Sequence, residues 1–253
     1  MTAQPRVIVV GAGPAGIAAA RRLRQEPRIR VLLIVADAMA DYLPGTLAVA
    51  TGDAPARRYR TRVELGGVEL VPARAEALRP GAVRVEGSWL AAEGIVAAPG
   101  LALGSAGDRR DDRIVSFWDP SGAEEAAQRI RSVERGVVSV VISGLPYRCP
   151  PAPYGLAMRL ARLMRRLDRP VEVRLLTPEE FPLAALGPTV GKYLLDACAE
   201  AGVGVRLGTR VDPDALSGGR LIEDTDALGG TDLAVLVFRC WYPRTKRVPC
   251  SRS

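Results

Sequence analysis

The sequence predicts an α/β fold made of two units, each built on a parallel sheet. Three observations predict it. Short apolar β-forming runs alternate with helical segments through both halves of the chain, and one of those runs passes through a glycine-rich turn into a helix. The third is composition: 48% hydrophobic against 25% charged residues over 253 positions is enough for more than one core.

Taken in order, the first element is the strand "RVIVV" at 6–10. "GAGPAG" at 11–16 forms a tight turn, "IAAARRLRQE" a helix ended by Pro27, and "VLLIV" at 31–35 a second strand that completes a βαβ unit. "GVELVPARAEAL" and "VRVEG" read as a strand and part of a hairpin, and "EGIVAAPG" as a strand closed by a glycine turn. Ser121 and Glu124 have capping-box spacing and open a helix expected to run to Gly136. The strand "VVSVVIS" follows, then the loop "GLPYRCPPAPYG". Beyond it Leu156, Leu160, Leu163 and Leu167 recur at helical spacing with Arg159, Arg162, Arg165 and Arg166 between them, the pattern of an amphipathic helix lying on a sheet. "VEVRLL", the helix "GPTVGKYLLDACAEAG", "VGVRLG" and "DLAVLV" complete the second half. Cys198 is expected on the apolar face of its helix with Val190 and Leu194, as a packing residue.

The formal charge of +7 suggests a polyanionic partner, but five of those charges, Arg239, Arg244, Lys246, Arg247 and Arg252, crowd into a tail without an acid. The body is nearly neutral and poor in aromatics, so no nucleic-acid role is expected. The chain has no histidine, and its four cysteines show no C-x-x-C spacing, so no metal site is expected. A strand beginning at Arg6 leaves no room for a leader, and no apolar run has spanning length. The expected location is cytoplasmic, with at most peripheral contact at the cytoplasmic membrane face. Residues 238–253 break the α/β pattern and read as an aberrant basic tail, either ordinary and disordered or the product of a shifted frame.

Gly11-Ala12-Gly13-Pro14-Ala15-Gly16 matches G-x-G-x-x-G between a strand and a helix. Gly11 permits the tight turn, Gly13 lets backbone approach a pyrophosphate, Gly16 permits close helix–strand packing, and the helix N-terminus offers its positive dipole end. Pro14 in the first helical turn removes no backbone bond. These features predict dinucleotide binding in a Rossmann-like unit, against the alternative of a tight turn without a ligand. The carboxylate that takes the ribose normally ends the second strand, where this chain has Val35. Asp37 is the nearest substitute, as a ribose acceptor or as a solvated loop acid.

"VIVVGAGPAGIAAARRL", "GIVAAPG", "FWDPSGAEEAA" and "LPYRCPPAPYGLAMRLA", in that order, resemble sulfide:quinone oxidoreductase and the flavoprotein of flavocytochrome c sulfide dehydrogenase. Both belong to the FAD-dependent pyridine nucleotide-disulfide oxidoreductase group. The resemblance spans about residues 6–237. It implies two Rossmann-like, FAD/NAD(P)-binding units, the first one incomplete: residues 1–103 as the N-terminal part of a FAD-binding domain and 104–237 as the second unit. A return segment carrying a further flavin motif and a second redox cysteine is not found after residue 237. The chain is therefore expected to be a truncated member that retains FAD weakly.

The resemblance also implies roles. Cys149 is the candidate catalytic residue, one of two sulfurs that bridge near the flavin, with a persulfide formed from sulfide and electrons passed through FAD to a quinone or a cytochrome. Its place near a helix N-terminus and beside Arg148 favours thiolate over thiol, and Pro150, Pro151 and Pro153 stiffen the loop. The same bulky residues disfavour NAD(P)H in the second unit. Pro44 and Gly45 are implied as flavin neighbours, and Pro99 and Gly100 as neighbours of the adenine or ribityl portion. Two other readings stay open: a non-catalytic dinucleotide-binding remnant, and an NAD(P)H-dependent disulfide or quinone reductase.

Overall fold

In the computed structural model, residues 4–100, 102–103, 113–211, 231–237 and 240–241 are described. The chain divides into two compact units, the first containing residues up to Asp41 and Arg60–Ala102, the second Tyr42–Tyr59 and Leu103–Trp241. Most of the basic tail lies outside the described residues.

In the first unit β1 (Arg6–Val10) leads into α1 (Pro14–Leu23) and β2 (Arg30–Val35), followed by β3 (Met39–Asp41), β4 (Arg60–Arg62) and β5 (Glu69–Pro72). An antiparallel meander, β6 (Ala75–Arg79), β7 (Ala82–Val85) and β8 (Ser88–Ala91), precedes β9 (Gly94–Ala97). The main sheet is wholly parallel in the order β5-β2-β1-β9. Period-two alternation sorts its apolar side chains to two faces. Ile8, Val10, Leu32 and Ile34 meet Val83 and Val85 of the meander, whereas Val9, Val31, Leu33 and Val35 meet Ala20 of α1.

The short β10 (Ala102–Leu103) straddles the division, and the second unit holds α2 (Thr46–Ala50), β11 (Ile114–Ser116), α3 (Pro120–Ser132), β12 (Gly136–Ile142), α4 (Ala152–Arg166), β13 (Val171–Leu176), α5 (Pro188–Glu200), β14 (Val203–Arg206), β15 (Leu233–Val237) and β16 (Cys240–Trp241). Its sheet is parallel in the order β11-β15-β12-β13-β14. The first sheet thus places its first strand between the second and the fourth, the Rossmann order, and the second repeats it around β12, which lies between β13 and β15, with β11 added at the edge beside β15.

Several expectations change. Residues 42–59, assigned by sequence to the first unit, pack with the second: Val49, Ala50 and Ala56 join its core, and Asp53 pairs with Arg159 and Arg166 of α4 at 3.2 Å. The Thr51 hydroxyl, donating to Asp53 at 2.6 Å, and those guanidinium groups hold the Asp53 carboxyl below its ordinary value. The cap of α3 is Asp119, whose carboxylate accepts the Gly122 N–H at 2.9 Å, and not the Ser121–Glu124 pair; Ser121 instead donates its hydroxyl to Asp119. That helix ends at Ser132, because Val133 with ψ 111 is already extended, and Gly136 with φ +104 opens β12. Leu156, Leu160 and Leu163 are buried as expected, but Leu167 lies past the end of α4 and is 37% exposed. Cys198 is fully buried beside a half-buried Leu194, whereas Val190, near the first turn of α5, is exposed. Burial raises the Cys198 thiol to about 11.

Candidate functional site

The glycine turn stands at the C-terminal edge of the first sheet, where β2 and β9 flank β1 and the strand order reverses. Dinucleotides bind in such crevices. Gly11 adopts φ +101, and a Cβ there would run into the carbonyl oxygen of Ala98. A Cβ on Gly16 would run into the carbonyl of Gly11. These two glycines are demanded by packing.

Gly13 is different. Its backbone, φ −72 and ψ 177, suits any residue, and a Cβ there would meet nothing within 4 Å. Packing therefore does not explain this glycine. Gly13, Pro14 and Ala15 face solvent at the start of a helix with no side-chain cap and no acid in its first turn. Open room in front of bare, electropositive backbone fits the pyrophosphate of FAD.

Pro99 follows β9 and borders Gly11, since a Cβ on Gly11 would lie 3.6 Å from the Pro99 Cα; Gly100 comes next with φ +74. Asp37 lies two residues beyond β2, exposed, accepting the Met39 N–H at 3.1 Å and paired with Arg60. Its carboxylate thus also ties down the β3–β4 ladder. Pro44 and Gly45 fall in the segment that packs with the second unit. Pro44 is exposed, while Gly45 is buried against the ring of Tyr59, which a Cβ would strike.

In the second unit the equivalent turn joins β12 to α4. Cys149 is exposed there with φ +49, two residues before the N-cap Pro151, and its carbonyl accepts the Ala152 N–H at 2.8 Å. Pro150, Pro151 and Pro153 remove three N–H groups from this helix start. Ala152 spends its own, so little backbone remains to cradle phosphate. The turn offers a sulfur where the first unit offers amides.

Sequence reasoning missed the group behind this turn. Glu179, three residues past β13, is buried, and its Oε2 accepts the hydroxyls of Tyr154 at 2.6 Å and of Tyr147 and Thr177 at 3.0 Å each. Oε1 accepts the Leu183 N–H at 3.3 Å. The Tyr147 hydroxyl also lies 3.2 Å from the carbonyl of Pro150. A signal existed in the acid just past the second strand of a βαβ unit, the place of a ribose carboxylate. A cavity of about 1000 Å³ adjoins the cluster, lined by Leu145, Pro146, Phe181 and Leu186, with Glu179, Glu180 and Arg210 as charged members. Among the described residues no cluster of three or more Cys, Asp or Glu side chains is arranged to hold a metal ion.

Glu179→Ala would leave the buried hydroxyls of Tyr154 and Thr177 without this acceptor and Tyr147 with the Pro150 carbonyl alone, and is expected to cost about 3 kcal/mol, read as a shift in urea midpoint at unchanged slope. Burial, with the Glu179 carboxylate adding to it, also pushes both tyrosine phenols well above their ordinary value. The folded chain therefore keeps protons that the unfolded chain gives up above about pH 10. The stability tied to these phenols is present below that pH and lost as pH rises beyond it. A Tyr147→Phe, Tyr154→Phe double variant should show a flatter alkaline limb when the unfolding free energy is followed upward from pH 9.

No protein-family model matches the chain. No curated protein matches it either. Among solved structures it is similar to the sulfide:quinone oxidoreductase of the hyperthermophilic bacterium Aquifex aeolicus, with 19% identity and a TM-score of 0.77 over 95% of this chain and 60% of that one. It is similar to a NAD-dependent persulfide reductase from A. fulgidus, with 18% identity and a TM-score of 0.65 over 93% of this chain and 46% of that one. An engineered water-forming NADPH oxidase bound to NADPH gives 16% identity and a TM-score of 0.66 over 95% and 55%. The chain spans at most 60% of the length of these three proteins and shares their α/β fold.

Proposed function

We propose that the chain is a FAD-dependent oxidoreductase of the sulfide dehydrogenase type, with Cys149 as its redox sulfur and a quinone or cytochrome as electron acceptor. The observation that carries this reading is the contrast between the two turns. One presents bare backbone with open room at Gly13, and the other an exposed thiol on a proline-stiffened helix start. Two of the similar structures bear names that concern sulfide or persulfide, which supports it.

In this reading Gly11, Gly13, Pro14, Ala15 and Gly16 hold the pyrophosphate of FAD. Pro44, Gly45, Pro99 and Gly100 border the cofactor, and Asp37 takes the ribose after exchanging part of its pairing with Arg60. Sulfide and the Cys149 thiolate join in an S–S bond, releasing one proton and two electrons. When bound, FAD supplies the two-electron acceptor for that step and the outlet toward the final acceptor. Cys149 then carries the persulfide, and a second sulfide or another small thiol releases it by attack on the outer sulfur. No helix among the described residues is long and apolar enough to cross a membrane, so contact with a membrane quinone is proposed to be peripheral.

The test is direct. Protein supplied with FAD and treated with sulfide under anaerobic conditions should yield a Cys149 peptide heavier by one sulfur atom. Sulfur found on Cys240 or Cys250 with none on Cys149 would refute the assignment.

A further inference from the structure

We propose that Glu179 is the positioning residue of the Cys149 turn. This rests on the reading of Cys149 as the redox sulfur. The carboxylate stands where a dinucleotide-binding unit keeps its ribose acceptor, just beyond the second strand. Here it is turned inward, and four donors from its own unit occupy it: the hydroxyls of Tyr147, Tyr154 and Thr177 and the Leu183 N–H.

Two of those donors bracket the sulfur. Tyr147 lies two residues before Cys149 and Tyr154 five after it, so one carboxylate grips the loop side and the helix side of the turn together. Tyr147 adds a second hold through the Pro150 carbonyl. Such a grip is needed because Cys149 has φ +49, a left-handed conformation that a residue with a Cβ leaves unless its surroundings enforce it. The prolines alone do not enforce it, since they fix φ only at 150, 151 and 153. Thr177 bonds the same carboxylate from the strand end, and its hydroxyl also meets that of Tyr154, so its removal leaves both tyrosine donors on Glu179.

The experiment uses the full chain in a Cys240→Ser, Cys250→Ser background, with a trifluoromethyl label on Cys149. Cys198 is fully buried, so its failure to take label reports an intact fold. Fluorine NMR should give one resonance for the parent. Tyr147→Phe, which removes a single oxygen, is expected to split or shift that resonance, and Glu179→Gln to do so further. Thr177→Val, which keeps both tyrosine hydroxyls on the carboxylate, should displace it less than Tyr147→Phe does. An unmoved resonance in Tyr147→Phe with Cys198 still protected would overturn the proposal, and so would a Thr177→Val spectrum displaced as far as that of Tyr147→Phe. Should Glu179→Gln take label at Cys198, Tyr147→Phe alone decides. The label reads position whether or not sulfide reacts. A thiol anchored in this way yet inert to sulfide would sink the redox reading and leave the anchoring standing.

Discussion

Cys149→Ser is expected to abolish the sulfide-dependent bleaching of flavin in protein supplied with FAD, lowering its rate by at least about a hundredfold. Serine keeps the size and polarity of the position, and an exposed side chain makes few contacts whose loss would disturb packing. What disappears is the ability to form a sulfur–sulfur bond. A hydroxyl is neither ionised near neutral pH nor able to carry a persulfide. FAD binding and thermal stability should match the parent, because the first glycine turn belongs to the other unit. Unchanged bleaching in this variant would mean that sulfide reduces the flavin without the protein's help at this position.

The second large effect separates packing from cofactor binding within one motif. Gly11→Ala forces a Cβ onto a residue at φ +101 and into the carbonyl of Ala98, so the first unit should lose about 3 kcal/mol. In a chain of this size that is a melting-temperature drop of roughly 6–12 °C. Gly13→Ala has neither problem, since its φ is −72 and its Cβ would enter open space. Its stability should stay within about 0.5 kcal/mol of the parent. That open space is, however, where a phosphate has to come close to the backbone, and FAD affinity is expected to fall about tenfold or more, a cost of 1.4 kcal/mol or above. Calorimetric melting beside FAD titration checks both. Gly13→Ala binding FAD as well as the parent would show that the crevice holds no pyrophosphate at that point.

Much of this fold is legible from local pattern. The runs at 7–10 and 31–35 are strands because their apolar residues are continuous, that at 171–176 because apolar and charged residues alternate at its start, and Gly11 and Gly16 are read correctly as a tight turn and a helix–strand contact because backbone sterics leave few other uses for them there. Non-local competition hides the rest. Asp119 outcompetes Ser121 as a cap because Pro120 starts the helix two residues earlier than a Ser121 cap would. The segment 42–59 carries no mark in its own sequence of the helices it will pack on, and its partners α3 and α4 come more than sixty residues later. Val190 and Cys198 share a helix in α5, but one sits at an exposed end and the other at a covered one.

The candidate site divides in the same way. The glycine motif and the cysteine turn are written in contiguous residues, and both are visible without coordinates. Glu179 is not, because its role depends on Tyr147 and Tyr154 folding back from residues about thirty positions earlier. An acid in "LTPEE" looks like any solvated loop carboxylate until those hydroxyls are seen to converge on it.

The measurement that tests the central claim most directly compares two reductants on one sample. Protein supplied with FAD is mixed anaerobically with sulfide in one cell and with NADH or NADPH in another, and the flavin absorbance is followed in both. Bleaching by sulfide, with the pyridine nucleotides leaving the spectrum unchanged, is the expected result. Bleaching by NADH or NADPH while sulfide does nothing would contradict it, and would show that the second turn serves phosphate recognition after all.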